Sequence, residues 1–167
     1  MFLNKYAMKV TNTKFLRAFN SYKDITPEII KQFHINGILI DLDDTLVPHN
    51  YPVPDESVKL WLEIINKEGI PVCIISNNQK KRMMSFIKDL NVGYFYNSFK
   101  PRTHVIDLAL GVMNIRRDEA VLIGDQLFTD ILAANKSGIK AFLVKPIGNK
   151  STLFIKLKRF IERKILK

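Results

Sequence analysis

A chain of 167 residues suits one domain with a single core, and 47% hydrophobic with 25% charged residues reads as globular rather than disordered. The lone cysteine, Cys73, excludes an intramolecular disulfide, and no apolar run approaches the roughly 18 residues of a membrane-spanning helix. A formal net charge of +10 favours an anionic partner (nucleic acid, an anionic lipid surface or a phosphorylated small molecule), although a lysine-rich surface also serves solubility.

The start, MFLNKYAMKV, lacks a long apolar stretch followed by a small-residue cleavage site, so the chain is expected in the cytoplasm. Residues 1–36 read as a basic N-terminal segment of a single domain spanning 1–167. Within it Met1 to Phe19 fits either a membrane-facing arm or a strand and helix packed on the core. Gly37 to Asp43 (GILIDLD) reads as a buried strand. Asp55 to Glu68 reads as a helix with Asp55 as N-cap and Gly69 as its stop, and Val58, Trp61, Leu62 and Ile65 fall on one side. Ile70 to Ser76 (IPVCIIS) is a second buried strand. A helix is expected over Gln79 to Leu90 with Met83, Met84, Phe86, Ile87 and Leu90 as its apolar side, then a short strand over Val92 to Tyr96. A helix over Thr103 to Met113, a strand over Ala120 to Gly124 and a helix from Phe128 to Ser137, stopped by Gly138, follow. Ile139 to Val144 is the last strand of a catalytic core spanning 37–145.

Residues 151–167 (STLFIKLKRFIERKILK) form a basic amphipathic pattern. It fits a helix lying on an anionic membrane or a terminal helix covering the sheet with a solvated basic face.

Apolar strands alternating with helices predict an α/β fold whose central parallel sheet is covered on both faces. Ligands of such sheets bind beyond the carboxyl ends of the strands. There the pattern places Asp41 and Asp43 after the first core strand, Ser76 after the second, Lys100 a few residues past the third and Asp125 after the fourth. Several carboxylates with a lysine and a hydroxyl suggest a divalent cation, Mg2+, together with a phosphate. Asp41 then serves as a nucleophile on phosphorus, and Asp43 as the acid that protonates the leaving oxygen and the base that activates water. Ser76 and nearby backbone N–H groups hold phosphate oxygens, and Lys100 neutralises the transferring group. Asn77 is placed with the phosphate-binding residues, although Asn77 and Asn78 also suit shaping the turn. His49, in the short flap after the strand, is a candidate for contact with substrate.

DLDDTLV at Asp41 to Val47 resembles the first motif, DxDxT, of the haloacid dehalogenase (HAD) superfamily. ISNN at Ile75 to Asn78 resembles the second, the KP of Lys100 the third, and GDQLFTD at Gly124 to Asp130 the fourth. One such motif is a weak signal, whereas the whole set in order, each at a strand end, is a strong one. The resemblance implies a three-layer, Rossmann-like HAD fold acting through an aspartyl-phosphate. It implies Mg2+ held by the Asp41 carboxylate, the Asp43 backbone carbonyl and Asp125, with Asp130 and Thr45 in support. The segments 46–54 and 77–99 are too short for an inserted cap domain, so the chain resembles capless members of type IIIA. TPEIIKQFHINGILIDLDDTLVP, the SNN and the KP are similar to YqeG-type phosphatases, a group similar to phosphatidylglycerophosphate phosphatase. That likeness makes a lipid phosphomonoester the leading substrate. Members often carry Asn where this chain has Asp44. Asp44 is expected to face away from the phosphate and to tune the neighbouring loop.

Other readings stay open at this point. A phosphatase acting on another phosphomonoester (a nucleic-acid end, a protein or a sugar phosphate) is the alternative, and an open basic site also suits nucleic-acid ends. A receiver-type phospho-accepting module combines similar residues, but its aspartate follows the third strand and has no acid two residues on. A binding protein without catalysis would use the basic surface alone.

Overall fold

The computed structural model describes residues 16–49 and 51–147. Six strands form one all-parallel sheet: β1 (Leu16–Phe19), β2 (Gly37–Ile40), β3 (Val72–Ile75), β4 (Gly93–Phe95), β5 (Ala120–Gly124) and β6 (Lys140–Val144). Their spatial order is β1-β6-β5-β2-β3-β4. The chain thus runs outward from β2 through β3 to β4, then returns to the other side of β2 for β5. That reversal opens a crevice at the carboxyl end of β2.

The helices are α1 (Pro27–Gln32), α2 (Glu56–Lys67), α3 (Lys80–Ile87), α4 (His104–Met113) and α5 (Leu132–Ser137). Side chains of a strand alternate between its faces, and the core divides accordingly. Ile38, Ile40, Val72, Ile74, Val121 and Ile123 join Ile30 of α1, Val58, Trp61 and Ile65 of α2, and Phe86 of α3. Leu39, Cys73, Ile75 and Leu122 join Ile106 and Leu110 of α4 and Ala133 of α5 on the opposite face. This is the expected three-layer α/β architecture, and no cap domain interrupts it among the described residues. Each fully buried Ile, Leu or Val contributes roughly 1.5–3 kcal/mol, so the central strands are fixed firmly enough to serve as a platform for polar groups at their ends.

Helix α2 begins where expected: Asp55 caps it by accepting the Val58 N–H at 2.9 Å, and its four expected apolar residues are all buried. In α3, Met83, Phe86 and Ile87 are buried, but Met84 is exposed. Two features of the sequence reading need amending. Leu16–Phe19, left open as arm or strand, forms an edge strand hydrogen-bonded to β6, and the following segment supplies α1. The expected single helix from Phe128 instead begins as a π-helical turn at Leu127–Ile131 before α5. The C-terminal amphipathic segment 151–167 and most of the N-terminal arm lie outside the described residues. No helix among the described residues is long and apolar enough to cross a membrane.

Candidate active site

Strand β2 ends at Ile40, and the Asp41 N–H still donates to the Ile123 carbonyl of β5 at 2.9 Å. The backbone then leaves the sheet in a tight turn: Asp44 N–H donates to the Val47 carbonyl at 2.7 Å and Leu46 N–H to the Leu42 carbonyl at 3.0 Å. Asp44 takes a left-handed conformation, φ 61°, which Asp and Asn tolerate better than other side-chain-bearing residues. Its carboxylate accepts the His49 N–H at 3.0 Å and its carbonyl accepts the Ile147 N–H at 2.8 Å. Asp44 therefore organises the flap, as expected. It also borders the cavity.

Lys100 reaches the site through a loop fastened onto the end of β3. Asn97 N–H donates to the Asn78 carbonyl at 2.8 Å, and Ser98 N–H to the Ser76 carbonyl at 2.9 Å. The Asn77 amide then clasps the Lys100 backbone from both sides, accepting its N–H at 2.7 Å and donating to its carbonyl at 3.1 Å. Asn77 lines the cavity, but its side-chain amide is engaged by the lysine backbone. Of the two roles considered for it, shaping the turn is the one its side chain performs in this structure.

The Lys100 ammonium is buried; it donates to the Ile75 carbonyl at 3.1 Å and to Asp41 Oδ1 at 2.5 Å, and it forms an ion pair with Asp130 Oδ1 at 2.7 Å. Burial alone would lower its pKa, but Asp130 and Asp41 together raise it, so the lysine stays charged. Asp130 Oδ2 also accepts the Gln126 N–H at 3.1 Å. Its approach depends on Gly124: a Cβ there would lie 2.4 Å from the Asp130 Cβ and Cγ. Thr45 Oγ1 donates to Asp125 Oδ1 at 3.3 Å.

One carboxylate oxygen each from Asp41, Asp125 and Asp130 falls within 4.8 Å of the others. Three carboxylates beside one ammonium leave a formal surplus of two negative charges. Burial, opposed in part by Lys100 and aided by the Asp130 carboxylate, lifts Asp41 to about 7. Burial and the same neighbour lift Asp125 to about 7. A hard divalent cation such as Mg2+ takes oxygen ligands of this kind and would remove the surplus, so the residues present fit one. Asp43 is compensated separately: Arg82 Nη2 contacts its Oδ1 at 2.9 Å, and Asn78 Nδ2 donates to its Oδ2.

A cavity of about 290 Å3 opens over these groups, lined among others by Asp41, Asp43, Ser76, Lys100 and His49. The structure thus brings Asp41, Asp43, Ser76, Asn77, Lys100, Asp125 and Asp130 together at the one sheet edge the sequence indicated, with Thr45 on Asp125. Sequence reasoning missed Arg82, Gly124, and the Gln126 and Thr129 that line the cavity. Only Gly124 carried a visible signal, a glycine where a buried strand meets an acidic turn.

A model of the HAD-hydrolase-like family matches residues 99–152. The chain is 35% identical over 142 residues to the probable phosphatase YqeG of Bacillus subtilis, covering 85% of this chain and 83% of that one. It is 23% identical over 153 residues to the glyceraldehyde 3-phosphate phosphatase of Pyrococcus furiosus, spanning 90% of this chain and 52% of that one. Among solved structures, the 3-deoxy-D-manno-octulosonate 8-phosphate phosphatase of Moraxella catarrhalis, in complex with magnesium, phosphate and KDO, matches with a TM-score of 0.50 at 16% identity. That match covers 83% of this chain and 97% of the other, and the likeness is one of fold.

Proposed function

The chain belongs to the HAD-type phosphatases, alongside YqeG, and from that premise we propose that it hydrolyses phosphomonoesters through an aspartyl-phosphate on Asp41. The carrying observation is that Asp41 and Asp43, at the carboxyl end of β2, line one cavity with Ser76 and Lys100. In the first half-reaction an Asp41 oxygen bonds to phosphorus, the bond from phosphorus to the leaving oxygen breaks, and Asp43 gives that oxygen a proton. In the second, water attacks phosphorus, its proton passes to Asp43, the bond to Asp41 breaks and phosphate departs. The Ser76 hydroxyl and the backbone beside Asn77 hold phosphate oxygens, and Lys100 offsets their charge. The Asp41 and Asp125 carboxylates and the Asp43 carbonyl would hold Mg2+, with Asp130 and Thr45 steadying Lys100 and Asp125. Bound there, the cation supplies positive charge that lets an anionic phosphate approach an anionic nucleophile. Residues 37–145 are the catalytic core of one domain spanning 1–167.

The leading substrate is a lipid phosphomonoester of the phosphatidylglycerophosphate type, met at the cytoplasmic face of an anionic membrane. Three features support this reading: the likeness to YqeG-type proteins, the absence of a cap domain among the described residues, and exposed aromatics close in sequence to residues that line the cavity. Tyr51 lies in the flap segment, Phe99 precedes Lys100, and Phe128 lies in the π turn at Leu127–Ile131; their exposures are 48%, 60% and 42%. Aromatic side chains flanking a polar site suit an interface of headgroups and acyl chains. Phosphate release from vesicles carrying phosphatidylglycerophosphate, from a 3′-phosphorylated oligonucleotide and from glyceraldehyde 3-phosphate tests it. The lipid should give the highest kcat/KM. A higher value on either of the others removes the lipid assignment and leaves the phosphatase assignment standing.

A further inference from the structure

The mechanism above uses Asp43 but gives no role to the residues that grip it. Both oxygens of its carboxylate are engaged. Oδ1 meets Arg82 Nη2 at 2.9 Å, and Oδ2 accepts from Asn78 Nδ2, whose amide also reaches Ser76 Oγ at 3.1 Å. Arg82 is mostly buried, and its guanidinium carbon lies 5.4 Å from the centroid of the Phe86 ring, one helical turn on. Asp43 and Asn78 line the cavity, whereas Arg82 is absent from the described residues that do so. The guanidinium thus contacts Asp43 from outside the set of residues that line the cavity.

Elsewhere in the site, polar contacts hold the nucleophile, the lysine, Asp125 and the flap. This one joins the acid–base candidate to the first turn of α3, the helix that follows Ser76. A carboxyl group held at one oxygen alone swings about its χ torsions; held at both oxygens by groups on a packed helix and its preceding turn, its plane is fixed. Proton transfer needs hydrogen-bond reach and alignment at the leaving oxygen, so a fixed plane is catalytically useful.

We propose that Arg82, with Asn78, is a positioning residue for the acid–base carboxylate of Asp43. It aligns that group with the leaving oxygen and contacts neither the phosphate nor the leaving group. The inference rests on Asp43 being the acid–base residue of the proposed reaction.

The test compares phenyl phosphate with p-nitrophenyl phosphate. They have nearly the same size, but nitrophenolate departs readily without a proton and phenolate benefits from one. The quantity to follow is kcat/KM, which covers the steps up to departure of the leaving group. Arg82→Ala should lose about tenfold or more on phenyl phosphate and at most a few-fold on p-nitrophenyl phosphate, a selective loss within the range general acid catalysis supplies. Asn78→Ala should show the same selectivity, and Asp43→Asn a deeper form of it. Arg82→Lys, which keeps the charge but not the planar fork, should fall between wild type and Arg82→Ala. It also gives the same reading if Arg82→Ala fails to fold. A structural role alone would lower both substrates equally. Equal losses, or none, in the Arg82 variants while Asp43→Asn stays selective would overturn the positioning role and spare the reaction scheme. No selectivity in Asp43→Asn would overturn both.

Discussion

Gly124→Ala adds one methyl group at the end of β5, yet it should damage the site more than most surface changes. The new Cβ would sit 2.4 Å from the Asp130 Cβ and Cγ, where ordinary contacts begin at 3.4 Å. Asp130 would have to retreat by the difference, about 1 Å. Its Oδ1 lies 2.7 Å from the Lys100 ammonium, so a shift of that size loosens the ion pair. Overpacking and the loosening of a buried ion pair together cost roughly 2–4 kcal/mol, which lowers the melting temperature by on the order of 10 °C in a domain of this size. Lys100 would then press on Asp41 alone, and turnover should fall with stability. Thermal unfolding and phosphate release measured on the same preparation read both effects. In an Asp130→Ala background the wall is gone, and the same substitution should cost less than about 1 kcal/mol. Gly124→Ala with wild-type stability and turnover, or with an undiminished penalty in the Asp130→Ala background, would refute the reasoning.

Asp44→Asn should stay within about twofold of wild-type turnover, because asparagine tolerates the left-handed backbone and keeps an acceptor for the His49 N–H; Asp44→Ala loses both and should cost roughly 1–3 kcal/mol. Chemical denaturation and steady-state rates check the pair, and equal behaviour of the two variants would contradict this account of the turn. Asp41 and Asp125 are lifted from 3.8 to about 7. Between those values the folded protein therefore binds more protons than the unfolded chain, and without metal its stability should decline as pH rises from about 4 to 7. Added Mg2+ should raise the melting temperature more at pH 8 than at pH 5, and a larger rise at pH 5 would count against the cation sitting among these carboxylates. Lys100→Met leaves Asp41 and Asp130 buried without their ammonium and should cost about 3–5 kcal/mol. A neutral effect in thermal unfolding would mean that the lysine is not their main compensation.

Much of this site was legible in the sequence because strands and their ends are. GILI, VCII and AVLIG are short, apolar and rich in β-branched residues, as buried strands are, and each runs into polar residues that then share one sheet edge. The four motifs fixed the order in which those residues arrive. What stayed hidden depends on tertiary contact. LRAF gives no clean alternation, and its assignment as β1 follows only from its pairing with β6. Arg82 stands in KKRMM, which reads as the solvated start of a helix, and nothing local says that its guanidinium turns back to Asp43. Asn77 looked like a phosphate ligand from its place after Ser76; the clasp on Lys100 needed the loop after Tyr96 to be folded. The π turn at Leu127–Ile131 keeps helical spacing closely enough for the sequence to merge it with α5.

The central claim is that Asp41 carries the phosphoryl group. Acid-quenched single turnover with Mg2+, followed by peptide mass mapping, tests it most directly. One phosphoryl mass should appear transiently on the peptide containing Asp41, and it should be lost together with phosphate release on chelation and in Asp41→Asn. Phosphate release at the wild-type rate in Asp41→Asn, or a phosphoryl group on another residue, would contradict the account.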